Sequence, residues 1–195
     1  MIPEKLLIQF GAEEKQLAVN SYIFKEGYPA HFYFQVQNGS VKLYNTSENG
    51  KIFVQGFFYS GESFGEPPLL GNFPYPISAV TEEVTTILRM SLANFKRLLL
   101  QYPEYHFKLT QTLANRLRYK SLKLNEISSS PPRQRVLSIL TYHKMLNDTS
   151  DAFLVPFTRK EIAMLTGLRL ETVIRSVKAL EKEKKLKIEK GKIIL

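Results

Sequence analysis

Residues 61–80 combine backbone freedom and side chains that could hold a phosphorylated ligand. The stretch reads G-E-S-F-G-E-P-P-L-L-G-N-F-P-Y-P-I-S-A-V, and its glycines would let the backbone come close to a ligand. Glu66 offers a carboxylate to a sugar hydroxyl. The stretch contains no Arg or Lys to meet the charge of a phosphate, so two interpretations stay open: a nucleotide pocket, or the remnant of one.

A second stretch, residues 158–181, has the pattern of a DNA-reading motif: T-R-K-E-I-A-M-L-T-G-L-R-L-E-T-V-I-R-S-V-K-A-L-E. Thr158 can cap a helix, and Glu161 completes a capping box three residues later. Gly167 can take the positive φ that a tight turn needs. The pattern predicts a helix–turn–helix, whose second helix enters the major groove. An ordinary helical hairpin is the alternative.

The second helix of this motif carries the candidate DNA contacts. They are Arg169, Glu171, Thr172, Arg175 and Lys178. An Arg side chain can bond guanine O6 and N7 together, and a Glu can accept from cytosine N4. Glu171 and Arg175 are four residues apart, so they share a helix face and can also orient one another.

Histidine and cysteine usage argues against catalysis. The chain has no cysteine, which excludes disulfides and cysteine-ligated clusters. Its three histidines, His31, His106 and His143, are far apart in the sequence. A cupin-type metal enzyme would need several histidines and a carboxylate at one point, so we expect no enzyme and no metal site. Nothing singles out a histidine as the axial ligand of a haem sensor.

Charge favours nucleic acid as the partner. The 195 residues carry a net charge of +9, and residues 131–195 hold 14 Lys and Arg against 7 Asp and Glu. A basic domain of this kind indicates nucleic acid, although a solvated lysine-rich face is the alternative. We find neither a membrane-spanning run nor a signal peptide in the sequence, and we expect a cytoplasmic protein.

Short strands precede these basic residues. Alternating apolar residues in 31–60 and a β run at 84–90 predict an antiparallel jelly roll or small barrel. Asn38-Gly39 and Asn49-Gly50 are predicted hairpin turns, because Asn-Gly tolerates the positive φ of a two-residue turn.

A long helical segment follows from about Leu92, with a break near Tyr102-Pro103. Leucine and isoleucine recur at helical spacing on one stripe, at Leu113, Leu117, Leu124 and Ile127. Such a stripe packs either on its own barrel or on a second copy of the chain, and we favour the dimer. Lys120 interrupts the stripe.

Prolines mark the boundary after this helix. Ser128–Pro132 predicts a hinge, and the next helix has Val136, Ile139, Leu140 and Leu146 on one face. Two alternating runs about Gly191 predict a β-hairpin wing whose Lys187, Lys190 and Lys192 could meet phosphates. We therefore predict an α+β protein with a barrel domain (1–102), a dimerisation helix and hinge (103–130), and a winged helix-turn-helix (131–195).

Over nearly its whole length the chain resembles the Crp/Fnr family of bacterial transcription regulators. The resemblance rests on N-G-S-V-K-L-Y, N-G-K and G-E-S-F-G-E in the barrel, A-N-R-L in the long helix, and T-R-K-E-I-A, T-G and E-T-V-I-R near the end. It implies a cyclic-nucleotide-type barrel, a dimer seam along the long helix, and a homodimer on palindromic double-stranded DNA. RNA polymerase is a further partner that the resemblance suggests.

The same resemblance assigns roles in the opening stretch. Cyclic-nucleotide binders of the family read roughly G-E-L, a variable run, then R-S-A or R-T-A; the Arg, Ser or Thr and backbone amides hold the phosphate, and the Glu holds the ribose. Four residues match those positions: Gly65, Glu66, Ser78 and Ala79. Pro67 replaces the Leu and Ile77 replaces the Arg. Losing that guanidinium removes roughly 1.5–3 kcal/mol per charge-assisted bond, so we expect no gating by cyclic AMP.

Gating by a cyclic nucleotide through this degenerate cassette is the alternative, and no cofactor is identified. Lys120 and Ser121 fall where family members touch the bound base, so Lys120 either supplies a cation to another anionic effector or extends into solvent. The aromatic residues Phe64, Phe73 and Tyr75 could narrow or fill the cavity.

For the DNA contacts, Glu171 and Arg175 match the base-contacting pair of the family. Leu170 stands where some members carry an Arg, although Arg169 is one position away. The resemblance implies a half-site with a T-G-A-like element, whose first position is not assigned.

Overall fold

The computed structural model describes residues 2–50, 52–146 and 152–195, with the side chains of residues 125–129 and 146 outside the described set. The predicted stripe residue Ile127 and the predicted core residue Leu146 therefore lie outside the described side chains. The chain divides into two compact units, Met1–Arg116 and Leu117–Leu195, and each is described by itself.

The first unit is a jelly roll of two four-stranded antiparallel sheets, with orders β1-β8-β3-β6 and β2-β7-β4-β5. This arrangement confirms the predicted antiparallel sheet domain. Its elements are α1 (Glu4–Gln9), β1 (Glu13–Leu17), β2 (Tyr22–Phe24), β3 (Phe32–Asn38), β4 (Ser40–Thr46), β5 (Ile52–Tyr59), β6 (Ser63–Phe64), α2 (Glu66–Gly71), β7 (Ser78–Thr81), β8 (Thr85–Ser91), α3 (Leu92–Gln101) and the start of α4 (Pro103–Ser129).

The predicted hairpin at Asn38-Gly39 is wrong. Strand β3 pairs with β6 and β8, whereas β4 pairs with β5 and β7, so the chain crosses here from one sheet to the other. Gly39 has a φ of 91°, and a Cβ atom on it would lie 2.6 Å from Thr85 Oγ1 and 2.8 Å from the Val84 carbonyl oxygen. The glycine serves a close approach of two backbone segments at a corner rather than a two-residue turn.

The predicted turn at Asn49-Gly50 is confirmed. Strands β4 and β5 pair antiparallel on either side of it, from Ser40 opposite Tyr59 to Thr46 opposite Ile52. Gly50 has a φ of 75° and its N–H donates to the Ser47 carbonyl at 2.8 Å.

Sequence-distant strands join at the edge of the first sheet, where β1 pairs with β8 from Glu13 opposite Arg89 to Leu17 opposite Thr85. Arg89 Nη2 also contacts Glu13 Oε2 at 2.8 Å. A helical layer packs against this sheet, with Tyr33 of β3 stacked on Phe95 of α3 at 4.3 Å between ring centroids. Leu109 of α4 is buried in the same cluster.

The second unit is a winged helix. It contains the end of α4, α5 (Pro132–Leu146), α6 (Arg159–Thr166), α7 (Leu170–Lys182), β9 (Lys187–Glu189) and β10 (Lys192–Ile194). The predicted core positions of α5 that are described, Val136, Ile139 and Leu140, are buried. The predicted wing is confirmed as an antiparallel pair.

A short segment that the sequence did not indicate extends the wing. Phe153 and Leu195 exchange two backbone hydrogen bonds of 2.9 Å, and the Val155 N–H donates to the Ile193 carbonyl at 2.9 Å. Phe153 and Val155 are buried, so this segment closes the core beneath the wing.

No helix in the described part of the chain is long and apolar enough to cross a membrane. The described residues also contain no group of three or more His, Cys, Asp and Glu that could hold a metal ion.

Candidate nucleic-acid interface and effector site

The turn before α7 is built from three local devices. Thr158 Oγ1 accepts from the Glu161 N–H at 3.2 Å, and Glu161 Oε2 accepts from the Thr158 N–H at 2.6 Å, so the predicted capping box is present. Gly167 ends α6 in the left-handed region, with a φ of 70°. Arg169 then begins α7 from an extended conformation. These devices set the direction in which α7 leaves the turn.

We expect Gly167→Ala to destabilise the second unit by roughly 1–2 kcal/mol, because a Cβ atom disfavours the left-handed region. Gly167→Asn is the matched variant, since asparagine tolerates that region and should lose less. Urea unfolding followed by circular dichroism measures both changes. Equal losses of unfolding free energy in the Ala and Asn variants would show that the position lacks room for a Cβ atom, and that backbone conformation is not the reason for the glycine.

The two faces of α7 differ sharply. The buried face consists of Val173, Ser176, Val177 and Leu180. Among the predicted DNA contacts, Arg169, Glu171, Arg175 and Lys178 are exposed and Thr172 is half-buried. The structure thus brings all five predicted residues to the N-terminal cap and the first three turns of one helix.

Glu171 and Arg175 form no ion pair with one another in the described part of the chain. Their carboxylate and guanidinium therefore do not compensate each other at the surface. Both groups are available to hydrogen-bond base edges, as major-groove readout requires.

Two exposed apolar side chains flank this row, and they were not predicted as contacts. Leu170 and Ile174 are each 39% exposed on α7. They are four residues apart and so share one face. For Leu170 a signal was present in the sequence, because the resemblance places it where some members of the Crp/Fnr family carry an Arg.

The wing presents exposed lysines beside the same unit. Lys187, Lys190 and Lys192 are all exposed. Arg159 Nη1 donates to the Gly191 carbonyl at 2.6 Å, which ties the start of α6 to the wing turn. This hydrogen bond holds the wing turn, and with it the wing lysines, beside the start of α6.

In the first unit, the candidate phosphate-binding stretch begins with an unusual helix start. Gly65 precedes α2 in the left-handed region with a φ of 79°. A Cβ atom on Gly65 would lie 3.4 Å from the rings of Phe24 and Phe34. The backbone here closely approaches aromatic side chains, not an open cavity.

Glu66 is completely buried and is held by Arg116 of α4. Arg116 Nη1 lies 3.1 Å from each carboxylate oxygen, and Arg116 Nη2 donates to the Ser63 carbonyl at 2.6 Å. The Ser63 hydroxyl donates a further, short hydrogen bond to Glu66. Burial raises the pKa of the Tyr33 phenol, and the nearby negative charge of Glu66 raises it further.

Sequence reasoning assigned no role to Arg116. It lies 50 residues from Glu66, and no local pattern joins the two. The available signal was general: a carboxylate in a barrel core needs a cation or several donors.

The remaining residues of the stretch are also engaged. Ser78 Oγ accepts from the Glu26 N–H at 3.0 Å. Ala79 is buried, and Ile77, which stands in the position of the phosphate-binding Arg, packs on the aromatic core. This part of the site presents methyl and methylene groups where an anion would need a cation.

Aromatic rings fill the space between the two sheets. Phe24 and Tyr75 stack with centroids 3.7 Å apart, and Phe34 and Phe64 stack at 5.3 Å. Phe24 lies 5.7 Å from Phe34, which joins the two pairs. Phe64 and Tyr75 thus occupy the interior, whereas Phe73, also considered from the sequence, is exposed.

Lys120 and Ser121 lie on the part of α4 that belongs to the second unit. Both are exposed, and Ser121 Oγ donates to the Leu117 carbonyl at 3.0 Å. Their predicted role in holding an effector stays a prediction.

Two family models match separate stretches of the chain. Residues 14–102 match the cyclic nucleotide-binding domain and residues 134–195 match the Crp-like helix-turn-helix domain. The chain is 30% identical over 171 residues to the cyclic AMP receptor protein of Thermus thermophilus, covering 88% of this chain and 78% of that protein.

Solved structures share the fold. A CooA mutant from Carboxydothermus hydrogenoformans superposes with a TM-score of 0.81 at 19% identity, covering 100% of this chain and 87% of the other. The c-di-GMP responsive global regulator CLP of Xanthomonas campestris gives 0.74 at 19% identity, covering 98% and 99%.

Proposed function

We propose that this chain, which belongs to the Crp/Fnr family of DNA-binding transcription regulators, binds a palindromic operator as a homodimer and does so without cyclic AMP. The observation that carries the DNA-reading part is the exposed row of Arg169, Glu171, Arg175 and Lys178 on α7, opposite a fully buried face. We propose no catalytic activity for the chain. We place it in the cytoplasm, with RNA polymerase as a partner at the promoter.

The proposed homodimer is supported by exposed apolar residues of α4. Leu117 and Leu124 are seven residues apart and 67% and 70% exposed. Phe107, earlier on the same helix, is also largely exposed. Side chains of this kind at heptad spacing are stabilised when two copies of a helix pack together. Half-sites centred one helical turn of DNA apart, or a multiple of it, fit such a dimer.

Independence from cyclic AMP rests on the interior of the jelly roll. The stacked rings of Phe24, Tyr75, Phe34 and Phe64 occupy the space between the sheets, and Ile77 gives no charge to a phosphate. A phosphate moved there would lose its hydration without a compensating cation.

A cyclic-AMP-gated regulator is the second candidate. Gly65, Glu66, Ser78 and Ala79 retain the positions of a cyclic-nucleotide cassette, and a relative of 30% identity is a cyclic AMP receptor protein. The carboxylate of Glu66 could still accept a ribose hydroxyl beside Arg116, because a carboxylate has about four acceptor positions.

The deciding experiment is fluorescence anisotropy with a labelled duplex from the gene's own upstream region at one stated salt concentration. A scrambled duplex is the control, and each titration is run with and without millimolar cyclic AMP. We expect specific binding whose affinity changes less than twofold with the nucleotide. Specific binding that requires cyclic AMP would establish the second candidate, and equal binding to both duplexes would contradict operator recognition.

We further expect Leu170 and Ile174 to read thymine. Apolar side chains in the major groove contact the C5-methyl group of thymine. Replacing each thymine of the half-site by deoxyuridine should weaken binding at one or two positions by roughly 0.8 kcal/mol per lost methyl. Leu170→Ala with Ile174→Ala should remove that sensitivity in an anisotropy titration, whereas Leu154→Ala, another exposed leucine, should not. Sensitivity that survives the double substitution would contradict this assignment.

A further inference from the structure

The chain contains two Asn-Gly pairs, Asn38-Gly39 and Asn49-Gly50, and the fold holds them in different ways. An asparagine that precedes glycine can react with its own main chain. The deprotonated backbone nitrogen of the glycine attacks the side-chain amide carbon, and the absence of a Cβ atom on glycine leaves that approach open. The attack requires the main chain between the two residues to rotate.

The reaction balances with water alone. A bond forms between the glycine nitrogen and the asparagine Cγ, and the side-chain nitrogen leaves as ammonia. Water then opens the resulting five-membered succinimide at one of its two carbonyl carbons. One opening gives aspartate, and the other gives isoaspartate, in which the main chain runs through the former side chain.

Exposure does not separate the two asparagines, because Asn38 and Asn49 are both exposed. The difference lies in the backbone. Asn49 belongs to the turn between β4 and β5, where the Gly50 N–H donates to the Ser47 carbonyl at 2.8 Å. Apart from its chain neighbours, no described residue lies within 4 Å of the place that a Cβ atom on Gly50 would take. The tip of such a turn can open locally while the strands on either side stay paired.

The backbone of Asn38 is held on both sides of its glycine. Asn38 is the last residue of β3 and pairs with Thr86 of β8. A Cβ atom on Gly39 would lie 2.6 Å from Thr85 Oγ1. The next residue, Ser40, donates its N–H to the same Thr85 Oγ1 at 3.3 Å. Rotation at this pair therefore requires the strand ends of two sheets to separate.

We propose that Asn49 is a modification site of the folded protein, which converts without an enzyme to aspartate and isoaspartate, and that the corner between the two sheets protects Asn38 from the same reaction. The conversion lowers the net charge of +9 by one, because a carboxylate replaces a neutral amide. The isoaspartate form also adds one methylene to the backbone of the β4–β5 turn. This inference does not depend on the proposed DNA-binding function.

Peptide mapping by mass spectrometry measures the reaction at each site, after incubation of the folded full chain in a mildly alkaline buffer. Conversion of the amide to a carboxyl raises the mass of the peptide, and fragmentation distinguishes isoaspartate from aspartate. We expect Asn49 to convert at least tenfold faster than Asn38. No conversion at Asn49, or equal rates at the two residues, would overturn the proposal.

Incubation in urea tests whether the fold causes the difference. In the unfolded chain the two Asn-Gly pairs should convert at rates within threefold of each other, because neither backbone is held. If Asn38 remains tenfold slower than Asn49 in urea, its sequence neighbours slow the reaction, and the protective role of the corner is wrong.

Two substitutions test the two sites separately. Asn49→Gln should remove the conversion at that turn and leave the rate at Asn38 unchanged, because the longer side chain would have to close a less favourable six-membered ring. Thr85→Ala removes the hydroxyl that holds Ser40, so it should speed the conversion of Asn38 at least threefold and leave Asn49 unchanged. Circular dichroism checks that each variant is folded, and the comparison in urea stands if Thr85→Ala is not. An unchanged rate at Asn38 in folded Thr85→Ala would overturn the protective role of the corner.

Discussion

Replacing Arg116 by Met lowers the free energy of unfolding of the jelly roll by about 3–5 kcal/mol, because it leaves the carboxylate of Glu66 buried without its cation. Glu66 is completely buried, and Arg116 supplies a hydrogen bond to each of its oxygens. Urea unfolding followed by circular dichroism measures the loss.

The matched variant is the double substitution Arg116→Met with Glu66→Leu. It removes both charges together, so it should recover much of the stability lost by the single variant. The double-substitution cycle isolates the interaction between the two residues. A single variant that loses less than about 1 kcal/mol would show that water or Ser63 compensates Glu66 without Arg116.

Replacing Arg175 by Ala costs about 1–3 kcal/mol of operator affinity and relaxes specificity at one base pair. The guanidinium is exposed on the outer face of α7 and forms no ion pair with Glu171 in the described chain. Competition titrations against duplexes altered at each half-site position identify the base pair that loses its preference.

Lys187→Ala on the wing is the comparison variant. A lysine that meets a phosphate adds affinity without sequence information, so this variant should weaken all duplexes alike and reduce the salt slope by about one. If Arg175→Ala also weakened every duplex by the same factor, Arg175 would be a phosphate contact and the base-reading role would be lost.

The features that the sequence predicted well are local ones. The capping box joins Thr158 and Glu161 over three residues, and the positive φ of Gly167 depends only on its own backbone. Each of these is a property of a few consecutive residues, and a pattern can carry it.

The features that the sequence missed depend on distant contacts. Asn38-Gly39 has a hairpin pattern, but β3 finds its partners in β6 and β8, and no short pattern encodes the sheet to which a strand belongs. Arg116 and Glu66 meet only because α4 and α2 lie near each other in the folded jelly roll. The aromatic filling could be suspected from composition, but which rings turn inward depends on the pairing of both sheets.

The pairing of β1 with β8 has a consequence during synthesis. Glu13 and its partner Arg89 are 76 residues apart, and a ribosome that adds roughly 5–20 residues per second needs roughly 4–15 s to supply that partner. Strand β1 therefore has no pairing partner during that time. The sequence of β1 protects it from aggregation before β8 is made. Its residues Glu13, Glu14, Lys15 and Gln16 are charged or polar, and charge discourages an unpaired strand from pairing with another chain.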